Sequence, residues 1–245
     1  MTRFELIVVY SIVGIVAGTA ATIAELVRPA RPVSYRSVVL RDTIAFALYI
    51  AAVVPLADYF AGHVQPYVQF HWPVAKLPLV ARVILYYLVA DLGSYLLHVT
   101  MHTKLLWRVH KWHHAPKYMY WFAGVRATIP QQFLFNIPGL LAVPILAPAP
   151  VWLYVALPAE VIFRNDWMHM NVAWRSNWIE WIFVTPRYHH IHHSADQPRH
   201  LGNYGSLFTI WDRIFGTRID PDTIKEPLAF GTGTEDNPVR VIVGV

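Results

Sequence analysis

Long stretches without charge dominate the first two thirds of the chain. A hydrocarbon core about 30 Å thick takes roughly 20 apolar residues of helix. Phe4 to Leu26 supplies such a run, with Glu5 and Glu25 near its ends. It is too long, and lacks the small-residue cleavage pattern, for a signal peptide. A second run extends from about Thr43 to Ala61, with Asp58 near its end. A third, Leu79 to about Thr100, contains Asp91 and leads directly into His98 and His102. The fourth, Phe133 to Phe163, is interrupted by Pro138, Pro144, Pro148, Pro150 and Pro158. Proline breaks helices, so this stretch is expected to form a tight helical hairpin whose legs need not fully cross a bilayer. Further on, Trp174, Trp178 and Trp181 recur at near-helical spacing with Arg175 and Glu180 between them. That pattern predicts a helix lying in a membrane interface, although a packed amphipathic helix fits it too. The segment after Gly216, rich in Gly, Pro and Thr, is expected to be extended.

Composition sharpens the membrane reading. Of 245 residues, 56% are hydrophobic and 14% charged, against about 25% charged in ordinary soluble domains. Such hydrophobicity also excludes a disordered chain. With no internal repeat and no flexible linker, residues 1–245 are expected to form one membrane-embedded domain. Its parts are 1–128 with the early spans, the hairpin at 129–164, a cap at 165–217 and a tail at 218–245. Basic residues set the orientation. Arg28, Arg31, Arg36 and Arg41 mark one cytoplasmic loop, and Lys104, Arg108, Lys111 and Lys117 mark another. Both ends of the hairpin, near Arg126 and Arg164, are basic as well. The N-terminus is then outside, and everything after Thr100 except the hairpin is cytoplasmic. The net charge of +5 follows from this bias and calls for no nucleic acid.

The chain has no cysteine, which excludes disulfides, thiolate-bound zinc and iron–sulfur clusters. It has thirteen histidines, eleven of them after residue 97. They fall as His98-x-x-x-His102, His110-x-x-His113-His114, a lone His169 before Met170 and Asn171, and His189-His190-x-His192-His193. Spacings of three and four share a helical face. Adjacent members diverge enough to serve two ions. Neutral imidazole suits zinc, copper, iron and nickel. A single histidine is ordinarily structural, but dense clusters on one membrane side point to metal. His63 and His71 fall on the other side, and His200 reads as a surface residue. The neighbours of His190 complete the spacing without it. Two divalent ions on neutral imidazoles call for compensating or orienting carboxylates. Asp91, seven residues before His98, is the leading candidate, followed by Asp166, Asp196 and Glu160.

These residues resemble the three histidine boxes of the fatty acid hydroxylase/sterol desaturase superfamily. Asp91-x-x-x-Tyr95-x-x-His98 resembles the approach to the first box, and Trp107 to His114 the second. His169-Met170-Asn171, Thr185 to His189, Asn203-Tyr204-Gly205 and Trp211 to Thr217 also match. The likeness spans roughly Leu79 to Thr217. Two positions depart from it: Val99 stands where many relatives have Arg, and Arg126 to Gln131 replaces an Arg-x-His-Pro stretch.

The resemblance implies an all-α integral membrane protein of about four transmembrane helices with a cytosolic histidine-rich helical cap. It implies two iron ions, replaceable by zinc on overexpression, on His98, His102, His110, His113, His114, His169, His189, His192 and His193. Asp91 and Asn171 would be catalytic. The expected reaction is O2-dependent hydroxylation of a membrane lipid, fatty acyl chain or sterol, with desaturation as the alternative. Electrons would come from a separate protein such as a ferredoxin, a cytochrome b5 or a reductase, since the chain has neither flavin motif nor cysteine. A metal transporter would need ligands at mid-membrane on several helices. A bis-histidine haem protein would leave the doublets unused.

Overall fold

The computed structural model describes residues 3–48, 50–51, 55, 59, 63, 73–195 and 201–233. Among these the architecture is all-α. Helix α1 (Arg3–Val27) and α2 (Tyr35–Leu48) come first. The remainder of the second apolar run, beyond Leu48, lies largely outside the described residues, as do His71, Asp196 and His200. Helix α3 (Leu79–Met101) starts after Pro78 and carries the first histidine pair at its C-terminal end. The proline-broken stretch forms α5 (Ile129–Ala142), a 3-10 extension over Val143–Leu146, and α6 (Val151–His169), but not the tight pair expected: α5 packs mainly on α3, and α6 on α1 and the segments Trp121–Val125 and Pro186–His192. Short helices α4 (Trp107–His110), α7 (Asn177–Glu180), α8 (Pro186–His192) and α9 (Ile210–Ile214) build the cap.

Helices α3, α5 and α6 pack around Tyr86, Ala142, Ile145, Leu146, Leu153 and Leu157. Crossing is close enough that a Cβ on Gly93 would lie 2.9 Å from Pro138 Cβ. At the end remote from the histidines, buried Arg82 closes the proline-rich hairpin turn. Its guanidinium donates to the carbonyls of Leu146, Pro148 (2.9 Å) and Leu77 (3.2 Å). At the other end, Thr128 caps α5 by accepting from Gln131 N and donates to Val109 O at 2.8 Å.

Among the described residues two helical segments are long and apolar enough to cross a membrane, Leu79–Met101 and Ile129–Leu146. Val80 and Ile84 near the start of α3, and Val89 and Leu96 further along on another side of it, are exposed among the described residues, as expected of a helix against lipid rather than inside a soluble core. The apolar part of α1, Ser11–Val27, is shorter.

The tryptophan segment departs from expectation. Only Asn177–Glu180 is helical. The chain before it is drawn into an antiparallel bridge between Pro29 and Val172, with Ala173 N bonded to Arg28 O at 2.9 Å. The tertiary pairing with the α1–α2 loop overrides the helical spacing. Trp178 and Trp181 nevertheless remain exposed, and Arg213 stacks over Trp181 at 4.2 Å.

Candidate metal centre

The chain ends of α3 and α6 and the whole of α8 meet at one end of the bundle, and each brings histidines. Helix α8 is started by Thr185, which accepts from Tyr188 N, and by Pro186. Its short turn then presents three box histidines inward. The nine histidines of the boxes and His169 sort into two groups. His98, His102, His110, His114 and His192 form one, and His113, His169, His189 and His193 the other. Within each group the ligand atoms all lie within 4.8 Å of one another. Both adjacent pairs are split, so that His113 and His193 face one group while His114 and His192 face the other.

Distances between neighbouring Nε2 atoms are 3.1 Å for His98–His110, 3.2 Å for His110–His114 and 3.1 Å for His114–His192. In the second group they are 3.4 Å for His113–His169, 3.3 Å for His169–His189 and 3.0 Å for His189–His193. Imidazole nitrogens about 2.1 Å from a common ion stand about 3.0 Å apart at right angles and about 3.4 Å apart at tetrahedral angles. The spacing is that of ligands to one ion in each group.

Tautomers make the point more strongly. His113 Nδ1 bonds the carbonyl of Arg126 at 3.0 Å, and His169 Nδ1 that of Asn165 at 2.6 Å. A carbonyl only accepts, so both rings carry their proton on Nδ1. Their Nε2 lone pairs then face each other across 3.4 Å. His98 and His192 are committed alike, to the carbonyls of Tyr204 (2.8 Å) and Gly202 (2.9 Å). Neutral lone pairs repel unless a cation lies between them. Protonation is disfavoured: burial holds His113 down to about 4. Burial, then the neighbouring imidazoles, holds His114, His189, His192 and His193 well below the ordinary histidine range. The donor set therefore fits two divalent ions bound by neutral imidazole.

His190 is turned away. Its Nδ1 meets Arg31 Nη1 at 2.9 Å and its Nε2 the carbonyl of His169 at 3.2 Å, so both nitrogens are used. His63 stacks on Tyr59 far along the chain.

Neither group contains a carboxylate. Asp91 accepts from Leu207 N (2.8 Å), Phe208 N and Trp211 Nε1 (both 2.9 Å), with Arg164 3.9 Å away. It fastens the closing segment of the cap to α3. Glu160 pairs with Arg164 at 2.8 Å. The Asn171 amide grips the backbone of Arg31, accepting from its N (3.1 Å) and donating to its O (2.7 Å). Sequence reasoning did not single out Glu25, Asp42 or Gln131. Buried Glu25 accepts from Asn171 N and Trp121 N. Asp42 binds Arg126, whose carbonyl orients His113. Buried Gln131, beside His110, and half-buried Phe135 reach the site from α5, the Phe135 ring lying 5.8 Å from that of His98.

An all-α bundle that gathers nine imidazoles into two adjacent groups at one end defines a class, the histidine-box oxidoreductases. The particular family follows from comparison. The fatty acid hydroxylase profile matches residues 83–217, more than half of the chain, and the chain belongs to that family. The ornithine lipid hydroxylase OlsE of Rhizobium tropici is 33% identical over 184 residues, covering 73% of this chain and 54% of that protein. Alkylglycerol monooxygenase of Danio rerio is 30% identical over 135 residues, 54% of this chain and 29% of its own length. Methylsterol monooxygenase 1-3 of Arabidopsis thaliana is 27% identical over 146 residues, 58% of this chain and 49% of its own. The chain thus spans about half the length, or less, of these curated relatives. No solved structure is significantly similar to it. The two histidine groups are compatible with a di-iron or similar metal site.

Proposed function

We propose that this chain is an O2-dependent di-iron hydroxylase of a membrane lipid, fatty acyl chain or sterol. The observation that carries the reading is the pair of all-histidine groups, in which His98, His113, His169 and His192 commit their Nδ1 protons to carbonyls and turn Nε2 lone pairs toward the other imidazoles. Five histidines would hold one iron and four the other. A di-iron pair supplies the oxidising power that side chains lack for attack on an unactivated C–H bond. Overall, RH, O2, two electrons and two protons become ROH and water. Desaturation uses the same oxidant and electrons but releases an alkene and two waters.

The protein's own groups bind, orient and exclude. Backbone carbonyls fix four of the imidazoles in the tautomer that binds metal. Phe135, beside His98 and His110, supplies an apolar wall against which a hydrocarbon chain can rest. The outer faces of α3 and α5 give a lipid-dissolved substrate a sideways approach. Basic residues flanking the histidine end support a multi-pass topology with the centre on the cytoplasmic side. Crossing segments would be α1, the run that starts in α2, α3 and the hairpin. Electrons would arrive from a separate donor, a ferredoxin, a cytochrome b5 or a reductase. The similar proteins that act on ornithine lipid, alkylglycerol and methylsterol point to a lipid substrate without choosing among them.

Lipid mass spectrometry of cells with and without the chain tests the reading. A gain of one oxygen supports hydroxylation, and loss of two hydrogens identifies a desaturase. His113→Ala and His192→Ala, one from each group, should both abolish the product while the protein still inserts. Full activity in either removes that residue from the ligand set.

A further inference from the structure

Two of the five imidazoles in the larger group come from distant elements, His98 from α3 and His192 from α8, yet both rest on one tripeptide. His192 Nδ1 donates to Gly202 O at 2.9 Å and His98 Nδ1 to Tyr204 O at 2.8 Å. Between them the chain turns at Asn203, whose φ of 57° makes it the one non-glycine residue with positive φ among the described residues. Asparagine tolerates this region better than most residues.

The turn is held from all sides. Asn203 is fully buried. Its amide donates to Tyr188 O (3.2 Å) and Ile219 O (3.1 Å), and its Oδ1 accepts from Ile219 N at 2.7 Å. Asp212, also fully buried, accepts from Tyr204 N and Gly205 N, both at 2.8 Å. Gly202 has no room for a side chain: a Cβ would stand 2.7 Å from Thr217 O and from Ile219 Cδ1. The turn also holds α8 through Tyr188, next to His189, but no Nδ1 of the smaller group is seen bonded to it. That group's oriented members, His113 and His169, lean on Arg126 O and Asn165 O instead.

We propose that Asn203 and Asp212 are positioning residues for one metal ion only, locking His98 and His192 as Nδ1–H tautomers through the carbonyls of Gly202 and Tyr204. The proposal rests on the di-metal reading above. Orienting partners of this kind typically change metal affinity about 10–100-fold.

Cobalt(II) titration of the purified, metal-stripped full chain in detergent, followed by visible absorbance, tests it. The wild type should take up two ions, and uptake of fewer than two counts against the di-metal reading before any variant is made. In Asn203→Ala, Gly202→Ala and Asp212→Asn, one ion should bind about 10–100-fold more weakly while the other keeps its wild-type affinity. The retained ion also reports that the fold is intact. Asn203→Gly keeps access to the left-handed turn without the side-chain bonds, so its loss should be smaller than that of Asn203→Ala. If Asn203→Ala does not fold, Asn203→Gly and Asp212→Asn decide. Two ions bound as in wild type, or both weakened equally, in those variants overturns the proposal.

Discussion

Removing the carboxylate of Asp42 should destabilise the protein more than any single change at its surface. Asp42 and Arg126 are both buried, with 0% and 2% of their side chains exposed. Asp42 Oδ1 accepts from Arg126 Nε at 2.7 Å and from Nη2, and Oδ2 accepts from the Tyr120 hydroxyl. In Asp42→Ala the guanidinium keeps its charge but loses its partner away from water, which costs about 3–5 kcal/mol. At about 2–4 °C per kcal/mol for a chain of this size, the melting temperature should fall by roughly 10 °C. The assay is thermal unfolding in detergent, read by tryptophan fluorescence at fixed metal load. Asp42→Leu combined with Arg126→Met should recover much of the loss, because it removes both desolvated charges together. A single-variant shift under about 2 °C, or a double variant as costly as the sum of the singles, would refute the reasoning. The change should also reach the site. Arg126 O orients His113, so Asp42→Ala should weaken the ion of the four-histidine group and spare the other.

Two further outcomes follow. Metal-stripped protein should lose stability in acid. His113 is held near 4 in the fold against about 6.5 when unfolded, so the unfolded chain takes up protons first. The stabilisation is fully present above about pH 6.5 and is lost as pH falls toward 4. Melting temperatures of the metal-free protein from about pH 8 to pH 5 would show a decline, and a flat profile would contradict buried neutral histidines. Asp91→Asn replaces an acceptor of three N–H groups by one that serves them only partly, at about 2–4 kcal/mol. The same thermal assay should register it while two ions still bind, and loss of metal without loss of stability would return Asp91 to the site.

What the sequence made legible, and what it did not, divides along a physical line. Histidine spacing marked eight of the nine residues that the fold gathers, because i,i+3 and i,i+4 relations are local, and the lone His169 was marked only by the family resemblance. It also indicated that adjacent histidines diverge toward two ions. Which histidine joins which group depends on α3, α6 and α8 meeting at one end, and no local pattern encodes that meeting. Asp91 illustrates the difference. Seven residues before His98 is the same helical face but about 10 Å along the axis, and its carboxylate finds Leu207, Phe208 and Trp211 instead. Asn171 looked like part of the centre because it lies two residues after His169, yet its amide turns to Arg31. The signals missed altogether are backbone carbonyls: Arg126, Asn165, Gly202 and Tyr204 each fix an imidazole, and a carbonyl is the same at every residue. The visible trace of that shell lies in the residues that hold the carbonyls in place. Asn203 and Asp212, in segments already matched to the family, and Asp42 in α2, just past a stretch read only for its arginines, carry that role. Polar side chains that the bulk pattern leaves unexplained in an apolar chain are therefore where an orienting shell can be sought, before any ligand is in hand.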